Sequence, residues 1–65
     1  MKLFKFVSES KFNAQYLLDH FRLNDYNSIR LENAVIVELS GQDSSKQHLE
    51  SFCYIGNCFV DHVTE

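Results

Sequence analysis

The chain has 65 residues, and 45% of them are hydrophobic, with a formal net charge of −3, two cysteines and no proline. A chain this short hides only about 60% of its unfolded surface and has no room for a second core, so residues 1–65 are expected to form a single compact domain. The apolar and aromatic content excludes a disordered chain, and a domain of this size commonly depends on a metal, a disulfide or a partner, of which a partner is expected here.

The first predicted element is a strand over residues 2–7, because Phe4 and Phe6 fall on one face and Lys5 on the other. Residues 10–22 follow with a helical period and are predicted to form a helix. A strand over residues 16–23 ending in a turn is the competing interpretation. The apolar stripe that favours the helix consists of Ala14, Leu17, Leu18 and Phe21.

Residues 28–39 carry the clearest strand pattern, because apolar residues recur at alternate positions with one interruption at Asn33: Ile29, Leu31, Val35, Val37 and Leu39. A tight hairpin at Glu32-Asn33 would pair Arg30 with an apolar residue and mix polar with apolar groups on each face. One long strand is therefore favoured. It places Arg30, Glu32 and Glu38 on a shared polar face.

The remaining elements are a helix and a last strand. Ser44 and Gln47 form a capping box, which predicts a helix over about residues 44–55. Gly56 is placed to adopt the left-handed conformation that ends such a helix. Residues 58–63 then read as a strand. The fold class is therefore α+β, with a small, mainly antiparallel three- or four-stranded sheet and one or two helices packed on one face.

A metal site or a catalytic centre is not expected. His48, Cys53, Cys58 and His62 include the ligand types that zinc takes, but five residues along a helix turn a side chain about 140° away, so the spacing is poor. Both cysteines are predicted to be free thiols. The sequence lacks a nucleophile elbow, a phosphate-binding glycine loop and a His-Glu-x-x-His helix, so no cofactor and no enzymatic activity are predicted.

Charge is divided unevenly along the sequence. Residues 1–31 hold five basic and three acidic side chains, whereas residues 32–65 hold one basic and six acidic ones, giving +2 and −5. An acidic half repels phosphate and fits a basic protein surface better than nucleic acid. No run approaches the roughly 20 apolar residues of a membrane span, and residues 1–7 are too short for a signal peptide, so a cytoplasmic protein is expected.

The sequence resembles a family of very small phage-encoded anti-CRISPR proteins that inhibit the type I-F CRISPR surveillance complex. The similarity is collinear and touches most of the chain. It lies at Met1-Lys2, Lys5, Phe6, Ser8 and Asn13, at Arg30, Glu32-Asn33 and Val35, and at Asp43-Ser44, Gln47, Leu49-Glu50-Ser51 and Tyr54.

This resemblance implies a non-catalytic inhibitor that docks on the backbone subunits of a host CRISPR complex, in the host cytoplasm, and blocks access of nucleic acid. The family binds through an aromatic in its first strand, a tyrosine in its second and a glutamate in its third. These positions fall on Phe6, where the family tyrosine has lost its hydroxyl, on Tyr16 or His20, and on Glu32. The resemblance also favours the strand over residues 16–23, against the helical period.

Two further interpretations come from the residues themselves. Glu38 and Arg30 lie beside Glu32 on the predicted polar face and are expected to join a partner-binding surface for a basic host protein complex. Tyr26 in a turn and Tyr54 near a helix end are each a candidate contact or a cover for the core. The alternative function is a small dimeric structural or regulatory module, similar to an antitoxin, in which the apolar sheet face meets its own copy as a homodimer.

Overall fold

The strands form one antiparallel sheet in a computed structural model that describes residues 2–64, with side chains described for residues 2–61. The spatial order of the strands is β2-β3-β1-β4. This β-α-β-β-α-β connectivity is the ferredoxin-like arrangement, and the α+β prediction is confirmed. The elements are β1 (Lys2–Ser8), α1 (Lys11–Leu23), β2 (Ser28–Leu31), β3 (Ala34–Leu39), a 3-10 helix (Gly41–Ser44), α2 (Lys46–Gly56) and β4 (Cys58–Thr64).

Both helices pack on the same face of the sheet and enclose the core between them. Three phenylalanines form its centre: the ring of Phe21 in α1 lies 4.9 Å from that of Phe52 in α2, and Phe6 in β1 lies within 6.1 Å of both. Edge-to-face aromatic pairs of this kind contribute about 0.5–1.5 kcal/mol beyond the area they bury. The core also contains Phe4, Ala14, Leu17, Leu18, Val35, Val37 and Leu39.

The helical period of residues 10–22 is confirmed, and the competing strand over residues 16–23 is wrong. Ser10 caps the start of the helix, because its side chain accepts a hydrogen bond from the backbone N–H of Asn13 at 3.2 Å. Such a cap satisfies one of the backbone donors that a helix leaves unpaired at its start. The complete apolar stripe of α1 is buried as the period requires.

The single long strand over residues 28–39 is wrong, because the chain turns at Glu32-Asn33 and forms the hairpin of β2 and β3. The turn places Glu32 at φ 58°, a left-handed backbone conformation that glutamate rarely adopts, so the sequence does not signal the turn. Arg30 pairs with Val35 on the helix side of the sheet. This pairing is tolerated because β2 is an edge strand and the guanidinium reaches out to Gln15 Oε1 at 2.9 Å.

The second helix begins and ends at other residues than the sequence predicts. Its cap is Ser45, which accepts from the His48 N–H at 3.3 Å, while residues 41–44 form the 3-10 helix in place of the predicted capping box at Ser44. The left-handed residue that ends it is Asn57, at φ 48°, not Gly56. Gly56 is helical and buried against α1. The predicted last strand is confirmed as β4.

Across residues 2–64, neither helix has the length and apolar composition needed to cross a membrane.

Candidate interaction surfaces

Two of the predicted partner-binding residues lie in or against the core. Phe6 is fully buried between the sheet and both helices, so its ring is not available to a partner in this fold. His20 is half-buried on α1, and its ring lies 6.2 Å from that of Phe21 and 6.1 Å from that of Phe52. The core therefore accounts for the contacts of both side chains.

Two others form a polar connection between the hairpin and the start of α1. Arg30 donates hydrogen bonds to Gln15 Oε1 and, at 2.7 Å, to the backbone carbonyl of Glu32. The Glu32 carboxylate lies 3.1 Å from Lys11 Nζ, and both side chains are exposed. An exposed pair of this kind contributes at most about 1 kcal/mol, so these groups remain open to a partner's charges.

Glu38 does not share a surface with Glu32. It lies on β3 on the side of the sheet that the helices leave open, where its carboxylate accepts a hydrogen bond of 2.6 Å from Asn27 Nδ2. Glu32 sits in the turn at the end of the hairpin. The predicted polar face of residues 30, 32 and 38 therefore does not exist, because a turn interrupts the strand that would have aligned them.

Exposed aromatic side chains gather on the outer side of the two helices. Phe12 and Tyr16 lie four residues apart on α1, outside its buried stripe, and are 87% and 65% exposed, while Tyr54 on α2 is 89% exposed. Ile55 borders both the groove beside Phe12 and Tyr16 and the groove beside Tyr54, so the patch is continuous. We define the helix surface as Phe12, Tyr16, Asp19, Glu50, Tyr54 and Ile55.

Two carboxylates border these rings. Asp19 lines the groove with Phe12 and Tyr16 and accepts a hydrogen bond of 2.9 Å from Gln15 Nε2. Glu50 lines the neighbouring groove with Tyr54 and is exposed. Two of the residues singled out in the sequence belong to this surface: Tyr16, and Tyr54, which is exposed as a contact would be and does not cover the core. Phe12 was missed, although its position four residues before Tyr16 and off the apolar stripe signals exposure once α1 is accepted as a helix.

The opposite side of the sheet carries no helix and is largely apolar. Strand alternation sends the odd residues of β1 and β2 and the even residues of β3 to this side. Its four most exposed apolar side chains are 42% to 59% exposed, whereas Val7 and Ile36 are half-buried and Ala34 is buried. We define the open face as Leu3, Val7, Ile29, Leu31, Ala34, Ile36 and Phe59, together with the charged residues Lys5, Glu38 and Asp61.

The cysteines are half-buried free thiols, Cys53 in α2 and Cys58 just after it. Cys58 Sγ donates to the carbonyls of Phe52 and Cys53, each at 3.7 Å. Burial, followed by the neighbouring Cys53, raises the pKa of the Cys58 thiol to about 12, and burial also raises the pKa of Cys53. Both are therefore protonated at neutral pH, whereas a thiolate is the form that reacts or binds metal.

Within the described residues, no group of three or more histidine, cysteine or acidic residues is arranged to hold a metal ion. His48 lies in the first turn of α2, where its Nδ1 is 3.0 Å from Ser45 Oγ. The fourth residue of the zinc spacing, His62, has its side chain outside the described residues. The geometry thus directs attention to the two surfaces.

No family model, curated protein or solved structure matches this chain. The fold and its surfaces define a class: a small ferredoxin-like α+β domain with aromatic rings exposed on its helices and an uncovered sheet face. Because one fold of this kind hosts many functions, its function must be argued from the surfaces.

Proposed function

We propose that this chain is a non-catalytic binding protein whose helix surface docks on a basic surface of a partner protein. The observation that carries this proposal is the exposure of Phe12, Tyr16 and Tyr54 on adjacent helices, with acids beside them. Large aromatic side chains are the groups that most often dominate binding energy at protein interfaces.

The rings supply the affinity. Phenylalanine and tyrosine each bury about 150–250 Å² when fully covered, and they lose little conformational entropy because they have two side-chain torsions. Ile55 adds an apolar floor between the rings, since it is half-buried and lines both grooves. A partner that covers this patch removes apolar area that the core of this domain leaves in water.

The carboxylates beside the rings favour a partner with a basic surface. Asp19 and Glu50 stand at the edges of the patch, where rim charges mainly steer association and set its salt dependence. The whole chain carries a formal charge of −3, which adds attraction at long range. Binding is therefore expected to weaken as ionic strength rises, because the Debye length falls to about 8 Å at physiological salt.

The partner class we favour is a host complex that handles nucleic acid, in the cytoplasm of the host cell. Such complexes present lysine- and arginine-rich surfaces to phosphate, and an acidic domain can occupy them in its place. A role as an inhibitor of a CRISPR surveillance complex belongs to this class and rests on the sequence resemblance. In this fold it would use Tyr16 and not Phe6, because Phe6 is buried.

Affinity capture tests this function. The tagged chain is expected to retain a basic, nucleic-acid-handling complex from a bacterial lysate at low salt and release it as salt increases. The double variant Phe12→Ala/Tyr54→Ala should lose at least about tenfold of the captured complex, while circular dichroism remains unchanged because both rings are exposed. Leu23→Ala is the matched control, an equally exposed apolar side chain at the far end of α1.

Purified type I-F surveillance complex provides the direct test of the narrower assignment. The wild-type chain should reduce its binding of target DNA, and the double variant should not. If the complex binds DNA equally with and without the chain, the CRISPR assignment fails. If neither lysate capture nor the purified complex distinguishes the double variant from Leu23→Ala, the helix surface is not the binding site.

A further inference from the structure

We propose that a second copy of this chain covers the open face, so that two sheets pack face to face in a symmetric dimer. The proposal is independent of the proposed function, since it concerns the other side of the molecule. Leu31 on β2 and Phe59 on β4 are the most exposed of its large side chains, at 59% and 58%. They stand on the two edge strands of the sheet.

The open face has the size at which an exposed patch often serves as a binding site. Four strands about 4.8 Å apart, which average about six residues at 3.3 Å each, present a plane of about 20 by 20 Å. Apolar patches of about 300–600 Å² are the largest that monomers usually expose, and larger or comparable ones often mark binding sites. Both helices pack against the opposite face of the sheet, so within the described residues no element covers the open face.

The arrangement of side chains is self-complementary, which a two-fold interface requires. The proposed two-fold axis runs parallel to the strands, above the gap between β1 and β3 and midway between the two sheets. Rotation about it brings β2 of one copy over β4 of the other and β3 over β1. The strand registers then set Leu31 opposite the second copy's Phe59, and Ala34 opposite the second copy's Val7. Each apolar contact occurs twice.

The charges on the open face complement one another under the same rotation. Glu38 lies opposite Leu3 in the register of β1 and β3, and Lys5 lies two residues further along β1. The rotation places the second copy's Lys5 over β3, at a position two residues along that strand from Glu38. Sheets pack about 10 Å apart, a gap that a lysine and a glutamate side chain bridge together. Each dimer thus gains two ion pairs between copies.

Existing partners within one copy are compatible with these pairs. Lys5 Nζ lies 3.7 Å from Asp61 Oδ2, a long contact between half-exposed groups. Glu38 uses one carboxylate oxygen for Asn27, and a carboxylate has further acceptor positions. Two planes of about 400 Å² bury about 800 Å² in total, which is less than stable specific interfaces bury, so a weak, reversible dimer with a dissociation constant of about 100 µM is expected.

Sedimentation velocity over about 10 µM to about 1 mM tests the dimer, since this range brackets a dissociation constant of about 100 µM. The wild-type chain should shift from monomer to dimer. Leu31→Glu places a charge at the interface and should weaken association at least about tenfold, whereas the control Leu23→Glu, on α1, should associate as the wild type does. A wild-type chain that stays monomeric at about 1 mM overturns the proposal.

A charge-exchange experiment tests the register. Lys5→Glu leaves two acids in the charge pair, and Glu38→Lys leaves two bases, so each variant alone should dimerise at least about tenfold more weakly than the wild type. A mixture of the two variants restores opposite charges at both contacts and should dimerise. Circular dichroism confirms that each variant is folded. A mixture that behaves as the sum of its components overturns the two-fold arrangement.

Discussion

Gly56 of α2 packs directly against Leu17 of α1, and the contact leaves no room for a side chain on Gly56. A Cβ on Gly56 would lie 2.9 Å from Leu17 Cδ2 and 3.0 Å from Leu17 Cβ. Glycine weakens a helix by about 1 kcal/mol relative to alanine, so its presence in the last turn of α2 needs a reason. The reason is space, since its backbone is helical and Asn57 takes the left-handed conformation.

Gly56→Ala is therefore expected to destabilise the domain by about 1–3 kcal/mol, the usual range for overpacking a well-filled core. The gain in helix propensity acts in the opposite direction but is smaller. The Leu17 Cβ cannot move away without a shift of the α1 backbone, and Cys58 Sγ, at 3.1 Å from the added atom, closes another side. Urea unfolding followed by circular dichroism measures the change.

The double variant Gly56→Ala/Leu17→Ala separates overpacking from other causes. Leu17→Ala alone should cost about 2–5 kcal/mol because Leu17 is fully buried. In the double variant the Leu17 Cδ2 atom that meets the new Cβ is gone, so the cost should be less than the sum of the single costs. Strict additivity would contradict the proposed clash.

The sequence was sufficient for the elements whose pattern depends on burial. The stripe of α1 and the alternation around Phe4 and Phe6 follow from a core that needs apolar side chains at fixed periods. The hairpin was missed because the argument against it assumed that polar and apolar residues cannot share a face. Arg30 can share a face with apolar residues because it lies on an edge strand, where its guanidinium extends beyond the sheet and donates a hydrogen bond to Gln15.

The residues of the two candidate surfaces were harder to predict from the sequence than the helices and strands. Phe6 was expected at a binding surface because of the family resemblance, whereas its alternation with Lys5 favours the core, where the structure places it. The open face became recognisable once the helices were placed. For the helix surface, Phe12 was not singled out, because its position off the apolar stripe indicates exposure only after the helix has been chosen over the competing strand.

Glu32→Gly should stabilise the hairpin by about 1 kcal/mol. Glu32 has φ 58° while Asn33 does not share the left-handed region, and the first position of such a two-residue turn prefers glycine. Left-handed backbone costs a residue with a side chain about 1–2 kcal/mol, against which the exposed pair with Lys11 is worth little. Thermal unfolding at matched pH provides the measurement.

Glu32→Gln serves as the control for this substitution. Glutamine keeps the unfavourable backbone conformation and removes the charge, so its stability should equal that of the wild type or fall slightly. Stabilisation by glutamine equal to that by glycine would assign the effect to charge and contradict the backbone explanation.

Two buried serines on the helix side of the sheet should respond in opposite directions to replacement by alanine. The Ser8 hydroxyl is buried without a partner at ordinary hydrogen-bond geometry, and its weak contact with the Cys58 thiol lowers the pKa of that thiol by the smallest of the effects acting there. Ser28 Oγ donates to the carbonyl of Tyr26 at 3.3 Å. Removal of an unpaired buried hydroxyl relieves a desolvation cost, whereas removal of a bonded one leaves an acceptor unpaired.

Ser8→Ala is accordingly expected to leave stability unchanged or raise it by up to about 1 kcal/mol, and Ser28→Ala to lower it by about 1 kcal/mol. Chemical denaturation of both variants in one buffer gives the comparison. A loss of about 1 kcal/mol or more in Ser8→Ala would mean that its hydroxyl has a partner after all.

The stability of the domain should fall as pH rises above 9. The Cys58 thiol has an ordinary pKa of 9.0 and a folded pKa of about 12, so the folded state keeps a proton that the unfolded state releases between these values. Its contribution is fully present below pH 9 and is lost as pH rises toward 12. Cys53 and Tyr26 add to the loss, because burial raises the pKa of each, and a hydrogen bond to Asp43 raises that of Tyr26 further.

Unfolding midpoints measured in urea at several values between pH 8 and about 11, a range chosen to span the ordinary thiol pKa, test this dependence. Cys58→Ala removes the most strongly shifted group and should flatten the decline, although its stability at pH 8 is lower because a buried contact is lost. Tyr26→Phe should flatten the part above pH 10 and leave the part from pH 9 to 10 as in the wild type. If the stability of the wild type and that of Cys58→Ala fell equally with pH, the pKa of the Cys58 thiol would be the same in the folded and unfolded states. Cys58 would then be better hydrated than its contacts with Phe52 and Cys53 imply.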